Sequence, residues 1–275
     1  MATLPDPAPS SIVRRDEGED PTSRMSFFEH LVELRKRILY SLGFIGGGLG
    51  IGILAAQQIT WWFTAPVLKA LADAKVPNDR LVYTSPMGAL TLYLTVGFYV
   101  GLVIALPFVL HQIWLFVAPG LYKHERRAAL WFVGSGTLLF LCGAAFGYYL
   151  ALPMTLKFLL GIQGPFQPMI SVNEYFDMAM IVLMGLGLVF QLPILIFVLA
   201  LFGIVTPRFL WENFRYAILI ITIIAAAITP TTDALTMLVF MAPMIVLYAV
   251  GIGVAALVVR GKRKRAEALS GAGAA

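Results

Sequence analysis

Hydrophobic and polar positions divide the chain into long apolar runs joined by short charged stretches. No Asp, Glu, Lys or Arg falls within residues 38–68, 81–122, 128–156, 178–207, 216–232 or 234–259. A helix crosses the hydrocarbon of a bilayer with about 20 apolar residues. Five of the runs meet that length, and 216–232, roughly 25 Å as a helix, predicts a short fifth span. The run 81–122 would make a helix of roughly 63 Å, too long for one upright span, so Pro86 and Pro119-Gly120 should trim it. Kinks are expected near Pro107, Pro193 and Pro243, and Pro153 is a similar interruption. The fold class read from this pattern is an all-α integral membrane protein of six transmembrane helices, the last two of them short.

The basic residues orient the six spans. Sixteen of the 20 Lys and Arg flank the runs on the side of the two chain ends: Arg14 to Arg37, Lys123 to Arg127, Arg208, Arg215 and Arg260 to Arg265. The opposite side holds Lys69, Lys75, Arg80 and Lys157. Excess Lys and Arg mark the cytoplasmic side, which places both termini in the cytoplasm. Omitting the short fifth span would carry Arg260–Arg265 outside, so the same asymmetry supports six.

Composition agrees. Hydrophobic residues make up 59% of the 275 residues and charged ones 13%, about half the usual share of a soluble domain. A water-soluble fold of this size could not hide that much apolar surface. Residues 1–24, with Pro5, Pro7, Pro9 and Pro21 among mixed charges, read as a disordered cytoplasmic arm. Residues 25–260 form the membrane domain, and 261–275 a basic, then Ala/Gly-rich, cytoplasmic tail. That tail fixes the last helix or holds anionic lipid. Arg14-Arg15 is followed by acids, not an apolar core, so it is no export signal of its own. The one cysteine, Cys142, reads as a small packing residue.

Several polar groups stand out against this background. Ser26 and Glu29 suit a capping box that opens an amphipathic helix at the interface. Phe27, Leu31, Leu34 and Ile38 form its apolar face, with Glu33 on another face one turn before Arg37. The bland account is an i,i+4 pair between Glu33 and Arg37, contributing a few tenths of a kcal/mol. A second basic-side segment runs from His111 through Trp114, Phe116 and Pro119-Gly120 to Glu125, Arg126 and Arg127. Glu125 could simply neutralise its two arginines. Gln191, in Phe190-Gln-Leu-Pro193, lies near the middle of run 178–207. Its amide is either glue within the protein or a contact for a second protein's helix. Asp233 suits an outer turn or helix start, and Ser171 with Glu174 suits a capping box for the fourth span.

The same segments carry a family resemblance. The strings Glu29-His-Leu-Val-Glu-Leu-Arg-Lys-Arg37, Gln112-Ile-Trp through Pro119-Gly-Leu-Tyr-Lys-His-Glu-Arg-Arg127, Phe190-Gln-Leu-Pro193 and Thr229-Pro-Thr-Thr-Asp233 occur in one order. Together they resemble TatC, the core subunit of the twin-arginine protein translocase, from about Ser26 to Tyr248. The resemblance implies a receptor for N-terminal signals with two adjacent arginines, carried by folded precursor proteins. It implies work with TatA-like and TatB-like single-span subunits, self-association, and export energised by the transmembrane proton gradient. Glu33 and Glu125 match the family's signal-binding acids, Arg35 and Arg37 its basic positions, and Phe116 a motif aromatic. Gln191 stands where many members have Glu, and Met237 where a Gln often follows the outer Asp. An arginine pair stays charged and presents planar forks, and Glu33 and Glu125 are among few acids on a basic side.

Other function classes fit less well. A secondary transporter of a small solute or ion would show internal repeats or intramembrane charges, and the charge-free runs offer no acidic proton relay. The three histidines, His30, His111 and His124, lack metal-ligand spacing, and no Gly-x-Ser-x-Gly motif supports a membrane hydrolase. No enzyme activity, cofactor, metal or nucleic-acid partner is expected.

Overall fold

The computed structural model describes residues 27–73, 81–117, 126–162, 169–231 and 233–272. The chain opens with α1 (Phe27–Asp73), followed by α2 (Gly88–Val117). A third span joins α3 (Arg126–Phe146), a π-helical turn (Gly147–Ala151) and α4 (Leu152–Gly161). A fourth joins α5 (Val172–Val189) to α6 (Leu192–Leu201). The short α7 (Pro207–Glu212) leads to α8 (Phe214–Ile228) and α9 (Ala234–Ala272). Five of these segments are long and apolar enough to cross a membrane, and α8 is a shorter apolar helix. The all-α, six-span fold class is therefore present, with a single isolated bridge, Val82 to Ser171, as the only β pairing among the described residues.

Three expectations need correction. The entry segment and the first span are one continuous helix, α1. Its Glu, Leu, Arg and Lys residues all favour helix, so a change of polarity alone does not end it. The fifth span is short, but the sixth is not: α9 covers 39 residues. The charges from Arg260 onward ended the apolar run in the sequence, yet Lys, Arg, Glu and Ala propagate helix well. Cys142 is exposed on the helix surface instead of packed inside.

Proline punctuation follows its chemistry. Pro193 cannot donate to the carbonyl four residues back. The fourth span breaks at Phe190-Gln191, where Gln191 N–H turns to Leu188 O at 3.0 Å and the helix restarts at Leu192. Pro153 follows the wide π turn, in which the Leu152 N–H reaches back to Gly147 O. Pro107 and Pro243 lie inside helices that continue past them. Pro66, within α1, deprives the Trp62 carbonyl of its helical donor. The Tyr148 hydroxyl, on the π turn, donates to that carbonyl at 3.0 Å, and Tyr175 donates to Phe63 O at 2.8 Å. Tyr148 thus replaces the helical donor that the proline removes, and the two tyrosines together tie the far end of α1 to the third and fourth spans. Residues of α1, α2, α4, α5, α8 and α9 meet there in the main core, around Leu71, Leu92, Leu152, Tyr175, Phe176 and Phe240.

The α1–α2 pair is held by backbone approach. Gly48 and Gly52 of α1 face the carbonyls of Gly101 and Gly97 of α2. A methyl group on Gly97 would stand 2.8 Å from the Ile53 Cα, and one on Gly101 would stand 2.7 Å from the Leu49 Cα. Two small-xxx-small motifs therefore interlock, the usual way for membrane helices to pack without a hydrophobic driving force between them.

Gly101→Leu should destabilise the protein by about 1–3 kcal/mol, since an overpacked contact forces backbone shifts. Gly46→Leu, where an added Cβ meets no atom within 4 Å, should leave the melting temperature in detergent near the parent value. Equal melting of the Gly101 variant and the parent would show that the glycine contact does not hold the pair.

Candidate functional site

On the side of the chain ends, the first turns of α1 lie beside the last turns of α2. Helical spacing brings Glu33 one turn below Arg37, and the Arg37 Nη2 donates to Glu33 Oε1 at 3.0 Å. The other guanidinium nitrogen, Nη1, points across to α2 and donates to Gln112 Oε1 at 3.4 Å. Arg37 and Glu33 side chains keep only 23% and 17% of their exposure, so solvent screens this pair less than an open surface pair. The bond uses one carboxylate oxygen. Glu33 Oε2 is buried and makes no hydrogen bond, and Arg37 Nε is in the same position. An anionic acceptor with one engaged and one unengaged oxygen is suited to a second guanidinium.

Gln112 is buried, a residue to which the sequence reading gave no role. A polar residue in the apolar context of a span was the available signal, since a buried amide needs a partner. The neighbouring Leu110 and Trp114 pack with Phe132 of α3, the two rings 5.1 Å apart, and fix this end of α2. Phe116 is half-buried in the last turn of α2, and Arg35 is exposed on α1. Glu125 and the segment 118–125 lie outside the described residues, as does Ser26 of the expected capping box.

Gln191 sits at the break of the fourth span. Its Nε2 donates to the Gly136 carbonyl of α3 at 2.8 Å, a bond within the protein. A Cβ added at Gly136 would stand 2.8 Å from Leu110 Cδ1 and in ordinary contact, 3.4 Å, with Gln191 Oε1, so the glycine makes room for Leu110 beside this bond. Oε1 itself, with Thr137 Oγ1 nearby in sequence to Gly136, is buried without a hydrogen bond.

Two further polar groups terminate helices. Asp233 Oδ2 accepts from Thr236 N–H at 2.6 Å, a cap on the first turn of α9. Its carboxyl pKa is lowered: slight desolvation, which raises it, is outweighed by hydrogen bonding, of which the geometry shows the Thr236 N–H to Oδ2 bond, while Asp233 Oδ1 and Thr231 Oγ1 are buried without a partner. The last turn of α6 ends at Gly203, φ +75°, with Ile204 N–H bonded to Leu199 O at 2.9 Å. Lys262 Nζ of α9 donates to the nearby carbonyls of Ala200 and Leu201. The basic tail thus holds the last helix against α6. Ser171 does precede the fourth span, but its side chain makes no cap bond. Its hydroxyl pairs with Thr84 Oγ1 at 3.3 Å, because the Val82 bridge draws Ser171 toward the loop before α2.

A family model described as Sec-independent protein translocase protein (TatC) matches residues 29–243. A protein of that name from Koribacter versatilis is 48% identical over 96% of this chain and 98% of its own length. Its counterpart from Aquifex aeolicus is 34% identical over 87% of this chain and 98% of its own. A crystal structure of a twin-arginine translocase receptor, TatC, superposes with a TM-score of 0.72 at 35% identity, covering 84% of this chain and 100% of that one. None of these similarities supports a small-solute transporter.

The Asp233 cap should titrate. A carboxyl whose folded pKa lies below its unfolded value stabilises fully above the unfolded value, near 4, and loses this as pH falls through the folded one. The melting difference between the parent and Asp233→Ala should therefore be largest near neutrality and narrow below about pH 4. A difference independent of pH, or none at all, would exclude the cap as a charged contact.

Proposed function

This chain belongs to the TatC family of Sec-independent protein translocase proteins, and from that premise we propose that it receives twin-arginine signal peptides at its basic face. In this reading both termini and the Glu33 region lie in the cytoplasm, and the protein spans the bacterial inner membrane. It is a transport component and not an enzyme. TatA-like and TatB-like single-span subunits complete the translocase with it, several copies assemble, and the proton gradient energises export of folded precursors. Gln191, half-buried at the break of the fourth span, is the proposed contact for a partner's helix, and Asp233 the candidate in the outer loop.

The observation that carries the reading is Glu33. Its Oε1 holds Arg37, and its buried Oε2 is unengaged. Oε2 is buried, so a signal arginine would reach it once the neighbouring side chains shift, with Arg37 kept in place by Gln112. Arginine is suited to such a site because its planar fork stays charged and loses little freedom per hydrogen bond formed. Glu125 would supply the second carboxylate from the following loop. Arg35 and Phe116 would flank the site, the first at the surface and the second at the end of α2.

The test uses conservative variants and a purified twin-arginine precursor. A hydrogen bond to a charged partner contributes about 1.5–3 kcal/mol when shielded and nearer 0–1 when exposed. At this half-buried site, Glu33→Gln and Glu125→Gln should each cost about 1–2 kcal/mol, or about 5–30-fold in affinity. A twin-lysine precursor should bind weakly to the parent and lose little more on either substitution. If both variants bind the twin-arginine precursor as the parent does and only melting falls, the two acids serve internal ion pairs.

A further inference from the structure

Away from the basic face, α1, α2 and α5 enclose an open groove of about 510 Å³, within the size range of small-molecule sites. Leu49 and Ile53 of α1, with Leu94 and Phe98 of α2, give it a mostly apolar wall, Thr95 and Tyr99 complete the α2 side, and Asp177 of α5 adds one carboxylate. The glycine seam creates this shape. Where Gly97 and Gly101 let α1 approach, Ile53 and Leu49 lie against the α2 backbone, leaving a trough beside the seam.

Polarity runs along the groove in one direction. Asp177 is in the second turn of α5, roughly 8 Å from its outer end. Leu94 lies roughly 9 Å along α2 from the same side, Phe98 roughly 15 Å, and Leu49 is level with Gly101 at roughly 20 Å. An anionic group at headgroup depth thus stands above a strip of apolar side chains leading to the membrane interior. Asp177 is exposed and makes no ion pair or hydrogen bond among the described residues. Lys69 and Lys157, the described lysines of the outer side, are exposed and not paired with it. A carboxylate at headgroup depth with no protein partner is open to a cationic group of the lipid, which it attracts over a few ångströms.

We propose that this groove seats a phospholipid with a primary ammonium headgroup, the ammonium on Asp177 and an acyl chain along Leu94, Phe98, Ile53 and Leu49. The charge is complementary, the ammonium supplies N–H donors at the depth of the acid, and the chain covers the apolar strip. A zwitterionic aminophospholipid of the outer leaflet satisfies all three conditions, whereas an anionic phospholipid would oppose Asp177. The depths use the orientation proposed above, but lipid retention is measured separately from precursor binding, so either idea can fail alone.

Native mass spectrometry of the purified full chain, titrated with phosphatidylethanolamine or phosphatidylglycerol, tests it. The parent should retain phosphatidylethanolamine at least fivefold more tightly than phosphatidylglycerol. Asp177→Asn should remove that preference, and Leu94→Trp, at an exposed position, should weaken retention by filling the groove while Asp177 stays in place. Both variants should bind twin-arginine precursor as the parent does. Unchanged phosphatidylethanolamine retention in both variants, or equal retention of the two lipids by the parent, would overturn the proposal. So would loss of a co-purified single-span subunit on Asp177→Asn with lipid retention unchanged, which would assign the groove to a protein helix.

Discussion

The close approach of α1 and α2 at Gly48, Gly52, Gly97 and Gly101 is the constraint on which the rest depends. Lipid tails are as apolar as the helices, so no hydrophobic force brings two spans together, and backbone contact through small residues does that work instead. With the two helices in register, Arg37 on α1 reaches Gln112 on α2, and Glu33 is held one turn away with one oxygen engaged. The same seam shapes the outer groove beside Leu49 and Ile53. The proposed peptide site on one face and the trough on the other are two ends of one packing decision.

The second principle is that polar groups in an apolar environment must find partners inside the protein. Pro66 frees a carbonyl, and Tyr148 supplies the missing donor. Pro193 breaks a span, and Gln191 at the break bonds the Gly136 carbonyl of α3. Lys262 closes the end of α6, and Asp233 opens α9. All but the Asp233 cap join elements far apart in sequence, and each bond is worth about 0.5–1.5 kcal/mol net. Their value lies as much in fixing which helices are neighbours. Six buried side-chain atoms stay unengaged among the described residues: Glu33 Oε2, Arg37 Nε, Thr137 Oγ1, Gln191 Oε1, Thr231 Oγ1 and Asp233 Oδ1.

Span positions were legible because charge is nearly forbidden in hydrocarbon, so uncharged runs map onto helices almost directly. The breaks at Pro153 and Pro193 followed from a missing N–H. The end of α9 was not legible, since Arg260 to Arg265 end a membrane run without ending a helix. Ser171 looked like a cap, but a bridge to Val82, distant in sequence, claimed its surroundings. The Gly48-xxx-Gly52 and Gly97-xxx-Gly101 pairing was not read from the sequence, because with 25 glycines in the chain the spacing alone does not say which two meet. Glu33 and Arg37 were readable as a pair from helical spacing. Gln112, which completes the arrangement, depends on the α1–α2 register and could not be placed from sequence alone.

The central claim is that the α1–α2 seam presents Glu33 to an arginine-bearing signal. Site-specific photocrosslinking from position 36, exposed beside Glu33 on α1, tests this most directly. A twin-arginine precursor should crosslink efficiently, and a twin-lysine version should crosslink at least severalfold less. Equal crosslinking of the two precursors, or none with either while the protein remains folded, would contradict the account.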